Sequence, residues 1–155
     1  MKFSSKEDIE APIERVFGMV SEFGALERAA IRRGVDVQRT VDKVEPGAGM
    51  QWRAVFKLRG HQRTAVVDLV NFERPTDMSF QSMTDGLHAY CDITLVALSP
   101  RRTRLAVELE LKPQTLPARL IVQSLKIAKS TLTKKFKLRL ADYAKSIEDR
   151  VTRLA

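Results

Sequence analysis

From Leu116 to Leu154 apolar side chains recur at every third or fourth position: Ile121, Leu125, Ala128, Leu132, Phe136, Leu140, Tyr143, Ile147, Val151 and Leu154. That spacing lays one oily stripe along an α-helix and leaves Lys and Arg on the rest of its circumference. An unbroken helix over residues 116–154 would run about 58 Å at about 1.5 Å per residue, whereas a domain of this size is roughly 40 Å across. The rod therefore overhangs its packing partner or breaks, and the Leu116 to Val122 segment is the expected place for a break.

The preceding chain supplies a surface for that stripe. From Val35 to Lys112 the period changes from helical to two. Val35, Val37 and Val41 alternate with polar neighbours before the turn EPGAG. In MQWRAVFKLR, Met50, Trp52, Ala54, Phe56 and Leu58 share one face, with Gln51, Arg53, Lys57 and Arg59 on the other. A hairpin at Gly60 leads to TAVVDLVNFE, which is apolar on both faces and so ambiguous in register. MSFQSM and LHAYCDITLVAL follow, separated by the Asp85-Gly86 turn signal. The last strand sets Leu105, Val107, Leu109 and Leu111 opposite Arg104, Glu108, Glu110 and Lys112. Six strands in series with short polar turns predict an antiparallel meander, and Phe3 to Ile9 would add a seventh strand.

The N-terminal stretch EDIEAPIERVFGMV changes from strand-like to helical around Ala11-Pro12. Proline is tolerated in a first helical turn, where its missing donor costs nothing. Ile13, Val16, Phe17 and Val20 then recur at helical spacing through Phe23, and a second short helical piece, ALERAAIRR, ends at Gly34.

The 155 residues predict one domain spanning 1–155, able to bury roughly two thirds of its unfolded surface. Hydrophobic residues at 44% and charged residues at 30% describe a globular chain and exclude intrinsic disorder. Cys91 is the sole cysteine, which excludes a disulfide framework within the chain. The first residues, MKFSSKEDIE, contain no apolar run, and no segment approaches the roughly 18 apolar residues of a membrane span, so a cytoplasmic location is expected. The net charge of +8 is concentrated: residues 116–155 hold ten Lys or Arg against three Asp or Glu.

Catalytic chemistry is hard to assemble from these residues. His61 and His88 have no metal-ligand spacing with Cys91 or with a carboxylate, and no metal or cofactor is expected. His61 sits beside a hairpin and should be solvated. His88, Tyr90 and Asp92 share one strand face; the competing face, Leu87, Ala89, Cys91, Ile93 and Leu95, is the better core surface, which sends the first three outward. Gly47 and Gly49 lack the Lys-Ser or Lys-Thr pair of a phosphate loop and read as a tight turn.

Three short segments carry a resemblance. Ile9-Glu10-Ala11-Pro12 with Glu14-Arg15-Val16-Phe17, the hairpin and strand Val44-Glu45-Pro46-Gly47-Ala48-Gly49-Met50-Gln51-Trp52, and VNFERPTDMSF from Val70 to Phe80 occur in an order that resembles the SRPBCC or START-like superfamily. Polyketide cyclases, START lipid-transfer domains, Bet v 1-like allergens and CoxG-type proteins are members. The resemblance implies an α+β helix-grip fold, β-α-α-β6-α, with a bent seven-stranded antiparallel sheet wrapped around the C-terminal helix. It also implies a cavity between sheet and helix for a lipid-like or polycyclic molecule, although a fold does not determine a function.

On that basis the expected ligand-lining residues are Trp52, Phe56, Leu58, Val67, Leu69, Phe80, Val107, Leu109, Leu125, Ala128 and Leu132, facing the helix between Ile121 and Leu140. Ser124, Lys129 and Gln81 are candidate orienting polar groups. Transport, sensing or sequestration is the first reading, and a cyclase- or hydratase-like enzyme using His88, Tyr90 or Asp92 is the second. The third is an interaction module in which Lys126, Lys129, Lys134, Lys135, Lys137, Arg139, Lys145, Arg150 and Arg153 contact anionic headgroups. The favoured reading of these bases is plainer: a solvated outer face that keeps the protein soluble. Nucleic acid is a weaker partner because no exposed aromatic series for base stacking is present, and a homodimer is left open.

Overall fold

A computed structural model describes residues 1–154. Strand β1 (Lys2–Ile9) is followed by helices α1 (Ile13–Val20) and α2 (Phe23–Arg32). Strands β2 (Asp36–Val41), β3 (Gln51–Leu58), β4 (His61–Glu73), β5 (Asp77–Thr84), β6 (Leu87–Ser99) and β7 (Arg102–Pro113) come next. Helices α3 (Leu116–Ile127) and α4 (Lys129–Leu154) complete the chain. The seven strands form one antiparallel sheet in the order β1-β7-β6-β5-β4-β3-β2. This is the helix-grip α+β architecture.

The strand-to-helix change at the N-terminus follows the proline. β1 ends at Ile9, and Pro12 lies one residue before the helix in extended geometry, φ −62° and ψ 145°, so that Ile13 opens α1. The Thr103 hydroxyl donates to the Ala11 carbonyl at 2.8 Å and fixes this corner onto β7. Two hairpin corners use residues with positive φ, Arg59-Gly60 and Asp85-Gly86. Such pairs match the twist of the flanking strands.

The ambiguous strand β4 resolves through a bulge. Its inner residues are Ala65, Val67 and Leu69, while Val66 and Val70 are exposed on the other face. The pairing with β5 shifts between Leu69 and Asn71, and this extra residue reverses the alternation so that Phe72 also packs against the core. Apolar residues on both parities are thus a consequence of one inserted residue.

The main core joins the inner sheet face, α1, α2 and the α4 residues Leu140, Ala144 and Ile147. Phe3 on β1 stacks against Phe136 with ring centroids 6.1 Å apart. A smaller cluster of Leu87, Ala118 and Val122, with Met1 and Leu111, seats α3 on the far end of β7. The C-terminal rod breaks at Ala128, φ −97° and ψ 14°, and not within residues 116–122. No Pro or Gly marks the break. The two pieces pack on different surfaces, α3 on β7 and α4 along β1 and α1, and the break lets one continuous stripe serve both.

Candidate functional site

Helix α2 carries Phe23, Leu26, Glu27 and Ala30 at helical spacing, which places them on one side of the helix. That side faces the inner surface of β3 to β5. Between them is a cavity of about 230 Å³ lined by these four residues with Val35, Val37, Trp52, Ala54, Val67 and Phe80. Its lining is apolar apart from Glu27.

Aromatic rings build one wall. Phe23 lies 5.2 Å from Trp52 and 6.3 Å from Phe80, both edge-on, and Trp52 lies 6.0 Å from Phe80. Edge-on packing sets the positive rim of one ring against the negative face of another. The wall continues into the core through Phe72, 6.3 Å from Phe23, and Phe17, 5.2 Å from Phe72. Arg74 covers Phe17 with its guanidinium carbon 5.2 Å from the ring centre.

The polar element is a three-residue network. Trp52 is 6% exposed, so its indole N–H requires a partner, and it donates to Glu27 Oε2 at 2.8 Å. Arg39 on β2 donates to the same carboxylate through Nε and Nη2, both at 2.9 Å. The Glu27 carboxylate, followed by Asp42, holds the Arg39 guanidinium pKa above its ordinary value. The network ties α2 to β2 and β3 and places the cavity's one ionisable group in a fully engaged position.

The expected lining residues fall into separate groups. Trp52, Val67 and Phe80 line the cavity. Leu69 is buried in the core beneath it, and Val107 packs against that core. Phe56 belongs to a different groove, with Val35, Asp36 and Gln62. Leu58, Leu109, Leu125 and Leu132 are half-buried outside the cavity, and Ala128 is exposed at the helix break. Among the polar candidates Ser124 is half-buried, while Lys129 and Gln81 are exposed, and none reaches the cavity.

The space therefore adjoins α2, whereas the sequence pattern points to a space against Ile121 to Leu140. Phe23, Leu26, Glu27 and Ala30 are absent from the expected lining, although their three- and four-residue spacing is visible in the sequence. What is not visible there is that Trp52, 25 positions from Glu27, is its partner.

His88, Tyr90 and Asp92 point to the outer sheet face. Asp92 accepts from the Ser79 hydroxyl at 2.7 Å, and Lys112 lies 5.2 Å from the Tyr90 ring centre. His61 is exposed. A larger depression, about 860 Å³, is lined by polar groups such as Lys6, Asp77, Ser79, Asp92 and Glu108 together with Ile93, Ala106 and Val107, and it is a mixed surface. On the inner face, burial, followed by the charge of Asp92, pushes the Cys91 thiol up to about 11. Among the described residues no His, Cys, Asp and Glu cluster is arranged to hold a metal ion.

A START-like or Bet v 1-like helix-grip fold is what this sheet, its two short helices and its terminal helix define. A protein from Thermus thermophilus superposes with a TM-score of 0.68 at 16% identity, over 100% of this chain and 99% of that one. The Zhui aromatase/cyclase from a Streptomyces species superposes with a TM-score of 0.67 at 12% identity, covering 97% and 95%. A START superfamily protein from Mycobacterium smegmatis gives 0.62 at 18% identity, covering 99% of both chains. The sequence matches no family model and no curated protein. At these identities the likeness is one of fold. No helix among the described residues is long and apolar enough to cross a membrane.

Proposed function

We propose that the protein binds a small apolar or amphipathic ligand in the cavity between α2 and strands β3 to β5, for transport, sensing or sequestration. The supporting observation is the apolar cavity of about 230 Å³ walled by Phe23, Trp52 and Phe80. An enclosed apolar cavity of about 150 Å³ takes up benzene, and this space, larger but open to solvent on one side, has room for a ligand of one or two rings. Apolar walls supply the affinity, and a few polar groups orient the molecule, as small-molecule sites generally do. Glu27 is the polar group at its wall, and its carboxylate already accepts from Trp52 and Arg39. Catalysis is the weaker reading. A general acid or base must touch the substrate, and His88, Tyr90 and Asp92 lie on the opposite sheet face.

Native mass spectrometry of protein purified from its own host, followed by organic extraction, tests the proposal. A retained small apolar molecule is expected. Protein with no retained molecule that also fails to take up any one- or two-ring aromatic probe contradicts it.

A further inference from the structure

Helix α3 has two apolar faces. Ala118 and Val122 are buried against Leu87, with Ile121 and Leu125 half-buried beside them. On the opposite side Leu116, Leu120 and Ile127 are 68%, 63% and 90% exposed. At 100° per residue these three fall within about 40° of one another, directly away from Ala118 and Val122. They form a second stripe that no part of the chain covers.

Charge identifies what covers it. From Leu111 to Ala141 the chain holds eight Lys or Arg and no Asp or Glu. Arg119 and Lys126, seven residues apart on α3, run along one edge of the exposed stripe, and Lys129 follows at the start of α4. Among the described residues none of these three lies within 4.0 Å of a carboxylate, while Arg39, Arg63, Arg102, Arg104, Lys112 and Arg150 all do. A second copy is a poor occupant, because pairing two α3 helices through their stripes brings Arg119 and Lys126 against like charges. Nucleic acid accounts for the bases but offers the oily stripe nothing. An anionic lipid bilayer satisfies both features, with acyl chains for Leu116, Leu120 and Ile127 and headgroups for the bases.

We propose that the outer face of α3 docks the protein on anionic membranes, lying in the headgroup region with Leu116, Leu120 and Ile127 inserted. This surface lies on the far side of α3 from the sheet, and its docking does not depend on the cavity being a ligand site.

The test is cosedimentation of the full-length protein with phosphatidylcholine vesicles, with and without phosphatidylserine. The wild-type chain should bind the anionic vesicles and hardly bind the neutral ones. Raising salt from about 0.1 to about 1 M shortens the screening length from about 10 to about 3 Å and should weaken binding. Leu120→Glu and Ile127→Glu should each weaken it by about tenfold or more, with circular dichroism and melting unchanged at these exposed sites. Leu120→Ser and Ile127→Ser repeat the test with no new charge. Absence of binding to anionic vesicles overturns the proposal, as does binding indifferent to all four substitutions. A dimer in solution broken by the same substitutions, or DNA binding in place of vesicle binding, also overturns it.

Discussion

The indole N–H of Trp52 donates to Glu27 across 2.8 Å, and Arg39 clasps the same carboxylate with two nitrogens at 2.9 Å. One carboxylate thus satisfies a buried ring donor and holds α2 over the cavity. Glu27→Ala removes the acceptor and leaves the indole donor unpaired, at a cost of about 1–3 kcal/mol. Arg39→Met should cost less, about 0–1 kcal/mol, since both partners of that pair retain solvent contact at 27% and 21% exposure. Urea denaturation measures both. Trp52 is the only tryptophan, so a red shift of its emission in Glu27→Ala reports the opened wall directly.

Ala54 lines the cavity from β3 with a single methyl group. Ala54→Phe should fill the space and weaken uptake of an aromatic probe by at least about tenfold, while changing stability by less than about 1.5 kcal/mol, because the added ring enters vacant volume. Titration with 2-naphthol gives the first quantity and thermal unfolding the second.

Two glycines should respond in opposite directions. Gly86 has φ +76°, and an added Cβ would lie 2.5 Å from Thr115 Oγ1, where Thr115 caps α3 by accepting from the Ala118 N–H at 3.3 Å. Gly86→Ala therefore strains the turn and displaces the cap together, and should cost about 1–3 kcal/mol. Gly18 lies within α1 with nothing inside 4 Å of an added Cβ. Gly18→Ala should stabilise by about 0.5–1 kcal/mol. Differential scanning calorimetry distinguishes the two signs.

Alkaline conditions should loosen the fold through two partly buried acids. Burial, followed by the Asp92 charge, pushes the Cys91 thiol from 9.0 to about 11, and burial with the Glu22 charge, opposed by Arg150, pushes the Tyr143 hydroxyl from 10.0 to about 12. The folded state keeps protons that the unfolded chain gives up, so stability is full below pH 9 and falls as pH rises toward 12. Cys91→Ala should flatten the decline between pH 9 and 11, and Tyr143→Phe that between pH 10 and 12. A tenfold difference in acidity between the folded and unfolded chain corresponds to roughly 1.4 kcal/mol, readable from urea midpoints across the pH series.

Much of the fold was legible because strand parity and helical periodicity are local. Trp52, Ala54, Phe56 and Leu58 announced their face, as did Leu105, Val107, Leu109 and Leu111, and Asp85-Gly86 announced its turn. The β4 register was not legible, because the bulge at Val70 changes which parity faces inward and only pairing with β5 reveals it. The break at Ala128 has no local mark, because no Pro or Gly stands there; it follows from α3 and α4 packing on different surfaces. The cavity wall is partly legible: Trp52, Val67 and Phe80 declare themselves as inward apolar residues, but ALERAAIRR shows only a short helical piece. Phe23, Leu26, Glu27 and Ala30 of α2 become a wall through contacts that are entirely tertiary.

The central claim is that the space walled by Phe23, Trp52 and Phe80 takes up an apolar ligand. An amide and indole chemical-shift titration with the two-ring probe 2-naphthol measures this most directly. The account predicts saturable shifts at the Trp52 indole and at Ala54, Val67 and Phe80, abolished by Ala54→Phe. Shifts that never saturate, or that collect at His88 and Tyr90 on the outer face while the Trp52 indole stays still, would contradict it.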